Sequence, residues 1–138
     1  MKRRQNWLNS SVSMLILTKT IAKHELAPLS RFIHLKDVLE GAIKIKKGLA
    51  IETKSLARGF RFYKVRIGRK NRARMIVFLL TESKKVVPIL IRLKKNKIFG
   101  MNMAMNNPKV VDQINKNMDR ILEDIQKKEY EEFSLGES

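Results

Sequence analysis

The clearest pattern in the chain is three runs of β-branched and aromatic residues near its middle, at positions 60–67, 74–80 and 86–93. Turn-forming residues separate them: Gly68-Arg69-Lys70-Asn71 after the first run and Glu82-Ser83-Lys84-Lys85 after the second. Runs joined by such short connections pair as antiparallel strands. In the first run Phe62 or Tyr63 alternates with Lys64 and Arg66, so one face is expected to be apolar and the other cationic. Pro88 conflicts with the third run, because proline cannot donate to a ladder. It should sit at a bulge or turn its nitrogen to solvent.

Helical periodicity lies on both sides of these runs. Leu35, Val38, Leu39, Ala42 and Ile43 mark one helix face, which ends at Lys46-Lys47-Gly48, where cations suit the dipole and glycine the C-cap. Before it, Thr20 is a suitable N-cap for a helix that Pro28 interrupts. Residues 14–18, with Leu15-Ile16-Leu17 at their centre, read as a short first strand. Asn107 followed by Pro108 opens a helix, and Val110, Val111, Ile114, Met118, Ile121, Leu122 and Ile125 give it an apolar stripe. The run from Met101 to Met105 reads as core filler.

The expected fold is α+β: a twisted antiparallel sheet of about four strands, N-terminal helices packed on one face, and a C-terminal helix. The expected organisation is a disordered basic arm over 1–13, a compact unit over 14–106, and an amphipathic helix with an acidic tail over 107–138, frayed from Ser134 to Ser138. An alternative for the arm is an upstream extension, with Met14 as the natural start.

Composition narrows the function. The 138 residues carry a formal net charge of +17, which disfavours the compact state through self-repulsion unless an anionic partner compensates it. No cysteine is present, which excludes disulfides and thiolate metal sites and fits a reducing, cytoplasmic setting. The Met14-to-Leu17 run is too short to span a bilayer, and no basic amphipathic helix points to a membrane surface. The charge is uneven. Residues 112–138 hold eight of the thirteen acids, whereas residues 61–97 hold thirteen cations and the single acid Glu82. A cationic sheet face of this kind suits a nucleic-acid backbone.

No Walker loop, dinucleotide fingerprint or metal-ligand spacing is visible, and His24 and His34 have no catalytic motif around them. No cofactor is expected. The chemistry that remains is metal-independent RNA cleavage. A 2′-hydroxyl attacks its own phosphate when a base removes its proton and cations stabilise the crowded dianionic state. Lys64, Arg66, Arg74 and Arg92 form a candidate cluster in which mutual repulsion lowers the lysine's pKa. A solvated binding surface without chemistry is the competing reading of the same charges.

The element order, together with Tyr63-Lys64-Val65-Arg66-Ile67-Gly68, Arg74-Met75-Ile76-Val77-Phe78 and Val86-Val87-Pro88-Ile89-Leu90-Ile91-Arg92, resembles the RelE/ParE superfamily of type II toxins over roughly residues 14–99. The resemblance implies a ribosome-dependent mRNA endoribonuclease that inhibits translation and is held inactive by a cognate antitoxin. Its partners would be that antitoxin and the ribosome with its mRNA. By motif, Lys64 and Arg66 match the basic positions of the first long strand, and Arg74 the arginine that opens the next. Lys64, Arg66 and Arg74 are thus the expected catalytic residues. Arg61, Arg69, Lys70, Arg72, Arg92, Lys94, Lys95 and Lys97 are the expected RNA contacts. The chain departs from the family in having Arg66 where lysine is common and no tyrosine near Phe99. Tyr130 falls in the acidic C-terminal region. The ParE branch, whose members poison gyrase, is the alternative, as is a non-catalytic RNA- or ribosome-binding protein.

Overall fold

The three central runs become the middle of a larger sheet, in a computed structural model that describes residues 12–53, 60–80, 82–99, 103–104 and 106–136. The described chain runs β1 (Met14–Thr18), a helical segment α1, α2 (Leu35–Lys46), β2 (Ile51–Thr53), β3 (Phe62–Ile67), β4 (Ala73–Leu80), β5 (Lys85–Leu93), α3 (Pro108–Gln126) and β6 (Tyr130–Ser134). Segment α1 opens with an α-turn (Lys19–Ile21), widens to π geometry (Ala22–Leu26) and tightens to 3₁₀ (Ala27–Leu29). Pro28 sits in the first turn of the 3₁₀ piece, where its missing N–H costs nothing, so the chain stays helical past it. The fold is α+β.

The sheet has six strands rather than about four, in the order β2-β3-β4-β5-β1-β6, and it is mixed. Strand β1 lies parallel to β5, with Met14 opposite Lys85 and Leu15 opposite Val86. The remaining neighbours are antiparallel. Two strands escape the sequence reading. Ile51–Thr53 is too short to show a period. Tyr130–Ser134, expected as part of the acidic C-terminal tail, pairs with the whole of β1. Acids in and just before the strand find cations there, as Lys85 meets Glu132 at 2.7 Å and Lys19 meets Glu129 at 3.5 Å. The expected arm over 1–13 lies outside the described residues up to position 11, but Val12 is buried and Ser13 bonds to Lys84 and Leu135.

Local signals explain most element boundaries. Asn107 caps α3 by accepting from the Lys109 N–H at 3.0 Å, with Pro108 at the first helical position. The cap of α1 is Thr18 rather than Thr20, its hydroxyl accepting from Ile21. Helix α2 starts with a reciprocal pair between His34 and Asp37 and ends before Gly48, whose φ of 77° is the left-handed cap. Pro88 falls at a bulge, opposite Val77, where the β4–β5 register slips.

The core differs from the expected sheet with one buried and one cationic face. Strand β4 is buried at every position except Leu80, so both of its faces are covered over the centre of the sheet. Helix α2 lies on the face that carries Val65, Ile67 and Met75, close enough that only glycine fits at position 41. Helix α3 packs its stripe of Val110, Ile114, Met118 and Ile121 against β5 and β1. Of the Met101-to-Met105 run, Met103 is buried, while Met101 and Met105 lie outside the described residues.

Polar groups fasten these layers. Beyond Leu15, β1 no longer covers the edge of β5, and a side-chain junction replaces the missing ladder. The Glu25 carboxylate accepts from the Ile91 N–H at 2.7 Å and from the Arg92 guanidinium. Asn117 donates to Glu25 at 3.2 Å and to the Ile89 carbonyl at 2.7 Å. Seven residues along α3, Asp124 accepts from the Thr20 N–H at 2.8 Å. Burial pushes the Glu25 carboxyl above its usual range, while Arg92, the Ile91 N–H and Asn117 oppose that shift. All three partners donate, which is the pattern a carboxylate requires.

Two outcomes follow for stability. Glu25→Ala should cost about 3 kcal/mol in chemical denaturation, because it strands a buried strand N–H and the arginine's partner site. A loss below about 1 kcal/mol would show that the junction is dispensable. At Gly41, an added Cβ would meet Ile67 Cγ2 at 2.5 Å and Met75 Cε at 2.8 Å. Alanine gains about 1 kcal/mol in helix propensity, but overpacking costs about 1–3 kcal/mol. Gly41→Ala should therefore be net destabilising in the same measurement, and a stabilised variant would contradict this packing.

Candidate functional site

Register brings three of the sequence-selected arginines into one row. Arg66 on β3 stands opposite Arg74 on β4, which stands opposite Arg92 on β5. Residues opposite one another point to the same face, so the three guanidinium groups share it. Lys64, two residues from Arg66, lies on that face as well. Phe62, Ile76, Phe78 and Leu90 continue the face inward and are buried. The cationic surface is therefore confined to the end of the sheet near the β3–β4 turn.

The members of the row differ in what they can offer. Arg66 is exposed. Arg74 is buried, and its Nη1 donates to the Asn71 carbonyl at 2.8 Å and to the Ala73 carbonyl at 3.2 Å, which steadies the turn. Arg92 is half-buried; its Nη1 bonds Glu25 and the Ile91 carbonyl, and its guanidinium lies 4.8 Å from the Phe99 ring centroid. Arg92 thus serves the β5 junction, a role that its place in the sequence did not signal.

Burial, with charge crowding added to it, shifts two of these groups. Burial lowers the Lys64 pKa from the ordinary lysine value, and the Arg74 charge lowers it further. Burial also lowers that of Arg74, with Arg66 adding to the effect. Arginine remains protonated in any accessible range, so within this group Lys64 is the side chain that can exchange a proton, while Arg66 and Arg74 stay cationic.

A second cluster occupies the same end of the sheet. The Lys94 N–H donates to the Arg72 carbonyl at 2.8 Å, joining the segment after β5 to the β3–β4 turn. Around that joint Arg69, Lys70, Arg72, Lys94 and Lys95 line a cavity of about 290 Å³ together with Phe32 and Leu93. Five of the expected RNA contacts are thereby brought together. The other two outlying ones are not: Arg61 precedes β3 and pairs with Glu52 at 3.6 Å, and Lys97 is exposed on a later turn. Tyr130 cannot join the Lys64 group. It lies on β6, four strand positions from β3, a span of about 19 Å at normal strand spacing.

The sequence reading missed Glu25, Phe32 and Asn117. For Asn117 a signal existed, since it shares the stripe of Val110, Ile114 and Ile121, and Asp124 recurs seven residues later on the same stripe. Glu25 and Phe32 carry none, because their roles depend on segments distant in sequence.

Lys64 should titrate below the ordinary lysine value when followed by NMR of its side-chain nitrogen or ε-carbon. Removing charge with Arg74→Gln should raise it only partway, burial being the larger cause. A lysine depressed on folding opposes the protonated native state, so this group's contribution to stability improves as pH rises from its folded value toward 10.5. Titration of Lys64 at the ordinary value would refute both its burial and the crowding by Arg74.

No family model, no curated protein and no solved structure matches this chain.

Proposed function

We propose that this chain is the toxin of a toxin–antitoxin pair and acts as a metal-independent, ribosome-dependent mRNA endoribonuclease. The observation that carries the reading is the in-register row Arg66–Arg74–Arg92 with the depressed Lys64 beside it. In this reading the neutral Lys64 amine takes the proton of a ribose 2′-hydroxyl, whose oxygen attacks the adjacent phosphorus. Arg66 and Arg74 stabilise the charge that develops on the phosphorane oxygens. The P–O5′ bond then breaks, and the leaving oxygen takes up a proton. The products are a 2′,3′-cyclic phosphate and a 5′-hydroxyl. Silencing such a chain requires an antitoxin with an acidic or amphipathic segment that covers the basic end of the sheet.

A second reading, non-catalytic RNA binding, draws support from a different observation. Arg74 and Arg92 already direct Nη1 inward, to carbonyls and to Glu25, as structural arginines do. The two readings separate in one experiment. Inducible expression in a bacterium, with primer extension on a well-translated mRNA, should give growth arrest and new cuts inside translated codons. Lys64→Ala and Arg74→Ala should each abolish the cuts. Lys64→Arg keeps the charge but supplies no base, and it should also lose cleavage while retaining RNA affinity. Cuts that survive Lys64→Arg would remove the general base from the scheme. Arrest without cuts would move the target to gyrase, and no arrest would leave a basic binding protein.

A further inference from the structure

Phe32 is the single aromatic side chain among the large exposed hydrophobic residues described, with 46% of its surface accessible. Its position is held from both sides. The Phe32 and Ile33 N–H groups both donate to the Leu29 carbonyl at 2.8 Å, and Ile33 is buried at 1% exposure, which turns its neighbour outward. The Arg72 guanidinium lies 5.6 Å from the Phe32 ring centroid, within cation–π range. The ring therefore borders the five-cation cavity described above and also a second cavity of about 450 Å³, which shares Phe32, Arg69 and Arg72. The second cavity also carries Asp37 and Glu40, so the side of the ring that suits an anion is the first cavity, where five cations and no acid stand beside an apolar ring left in water. It is the arrangement that holds an unstacked base by its face while cations hold the flanking phosphates.

We propose that Phe32 is a stacking platform for one unpaired nucleobase of single-stranded RNA, with Arg72 on the ring and Arg69, Lys70, Lys94 and Lys95 taking the adjoining phosphates. The site is separate from Lys64 and its row, and it reads single-strandedness rather than sequence, since every base has a π-face. It rests on the proposal that the partner is RNA, but not on cleavage. In function it would fix the register of a strand whose scissile phosphate lies at the neighbouring row.

The test uses the full chain and a short, fluorescein-labelled oligouridine in anisotropy titrations at several salt concentrations, with a duplex RNA of similar length in parallel. Phe32→Ala should weaken oligouridine binding by roughly 5- to 150-fold, the range of a lost base–aromatic stack, and leave the salt slope unchanged. Lys95→Ala should instead lower that slope by about 0.7. Duplex binding should not respond to Phe32→Ala, because its bases are already stacked. Phe32→Trp in a Trp7→Phe background should restore affinity, and its indole emission should be quenched by the oligonucleotide. Tight oligouridine binding that ignores Phe32→Ala would overturn this inference alone. Absence of RNA binding by the unaltered chain would overturn it together with the RNA reading itself, whatever Lys64 does.

Discussion

The fold depends on a buried carboxylate. Strand β5 is the hinge of the sheet: it pairs with β4 along its length but with β1 only at its start. Past that point its other edge would be bare, and unpaired backbone groups in a core are costly. Glu25 and Asn117 fill the gap, one accepting from the Ile91 N–H and the other donating to the Ile89 carbonyl. Because Glu25 sits in the π-turn of α1 and Asn117 in α3, satisfying one strand edge also locks two helices together. A purely apolar contact would be less directional, and it would leave those backbone groups unpaired.

This junction also shapes the basic end of the sheet. Arg92 balances Glu25, and by register that places it in the row with Arg74 and Arg66. A chain with a net charge of +17 has to separate its cations or partner them. Here the acids gather at the far edge, where β6 pairs with β1 and Glu132 meets Lys85. The opposite happens where β3 turns into β4. There, cations accumulate around Phe32 and on the row, and burial together with repulsion lowers the pKa of Lys64. Structural and electrostatic roles meet in the arginines, since Arg74 steadies the turn and Arg92 steadies β5 while both contribute field to the same surface.

Much of this was legible in the sequence, for identifiable reasons. The periods of the central runs, the Asn107-Pro108 start and the Gly48 stop are local signals, and each marks its element because the forces involved act within a few residues. The facing of Arg66 and Arg74, with Lys64 beside them, was also legible, because hairpin strands joined by a short turn have nearly fixed register, whereas Arg92 enters the row only through the bulge at Pro88, which shifts the β4–β5 register by one residue. Strand β6 was not. Tyr130-Glu131-Glu132-Phe133-Ser134 has an acidic composition that reads as solvated tail, and only the free edge of β1 makes it a strand.

By itself, then, the sequence determined the elements other than β2 and β6, the β3–β4 register and the concentration of cations between residues 61 and 97, because these follow from side-chain period, turn chemistry and charge. Only the tertiary structure decided that β1 lies parallel to β5, that both faces of β4 are covered, and that Glu25, Asn117 and Arg92 meet. It also decided that Phe32 stands beside Arg72, forty residues along the chain. The physical reason is that these are non-local contacts. Each requires closing a long loop, and its free energy comes from the partner it meets rather than from its own neighbours.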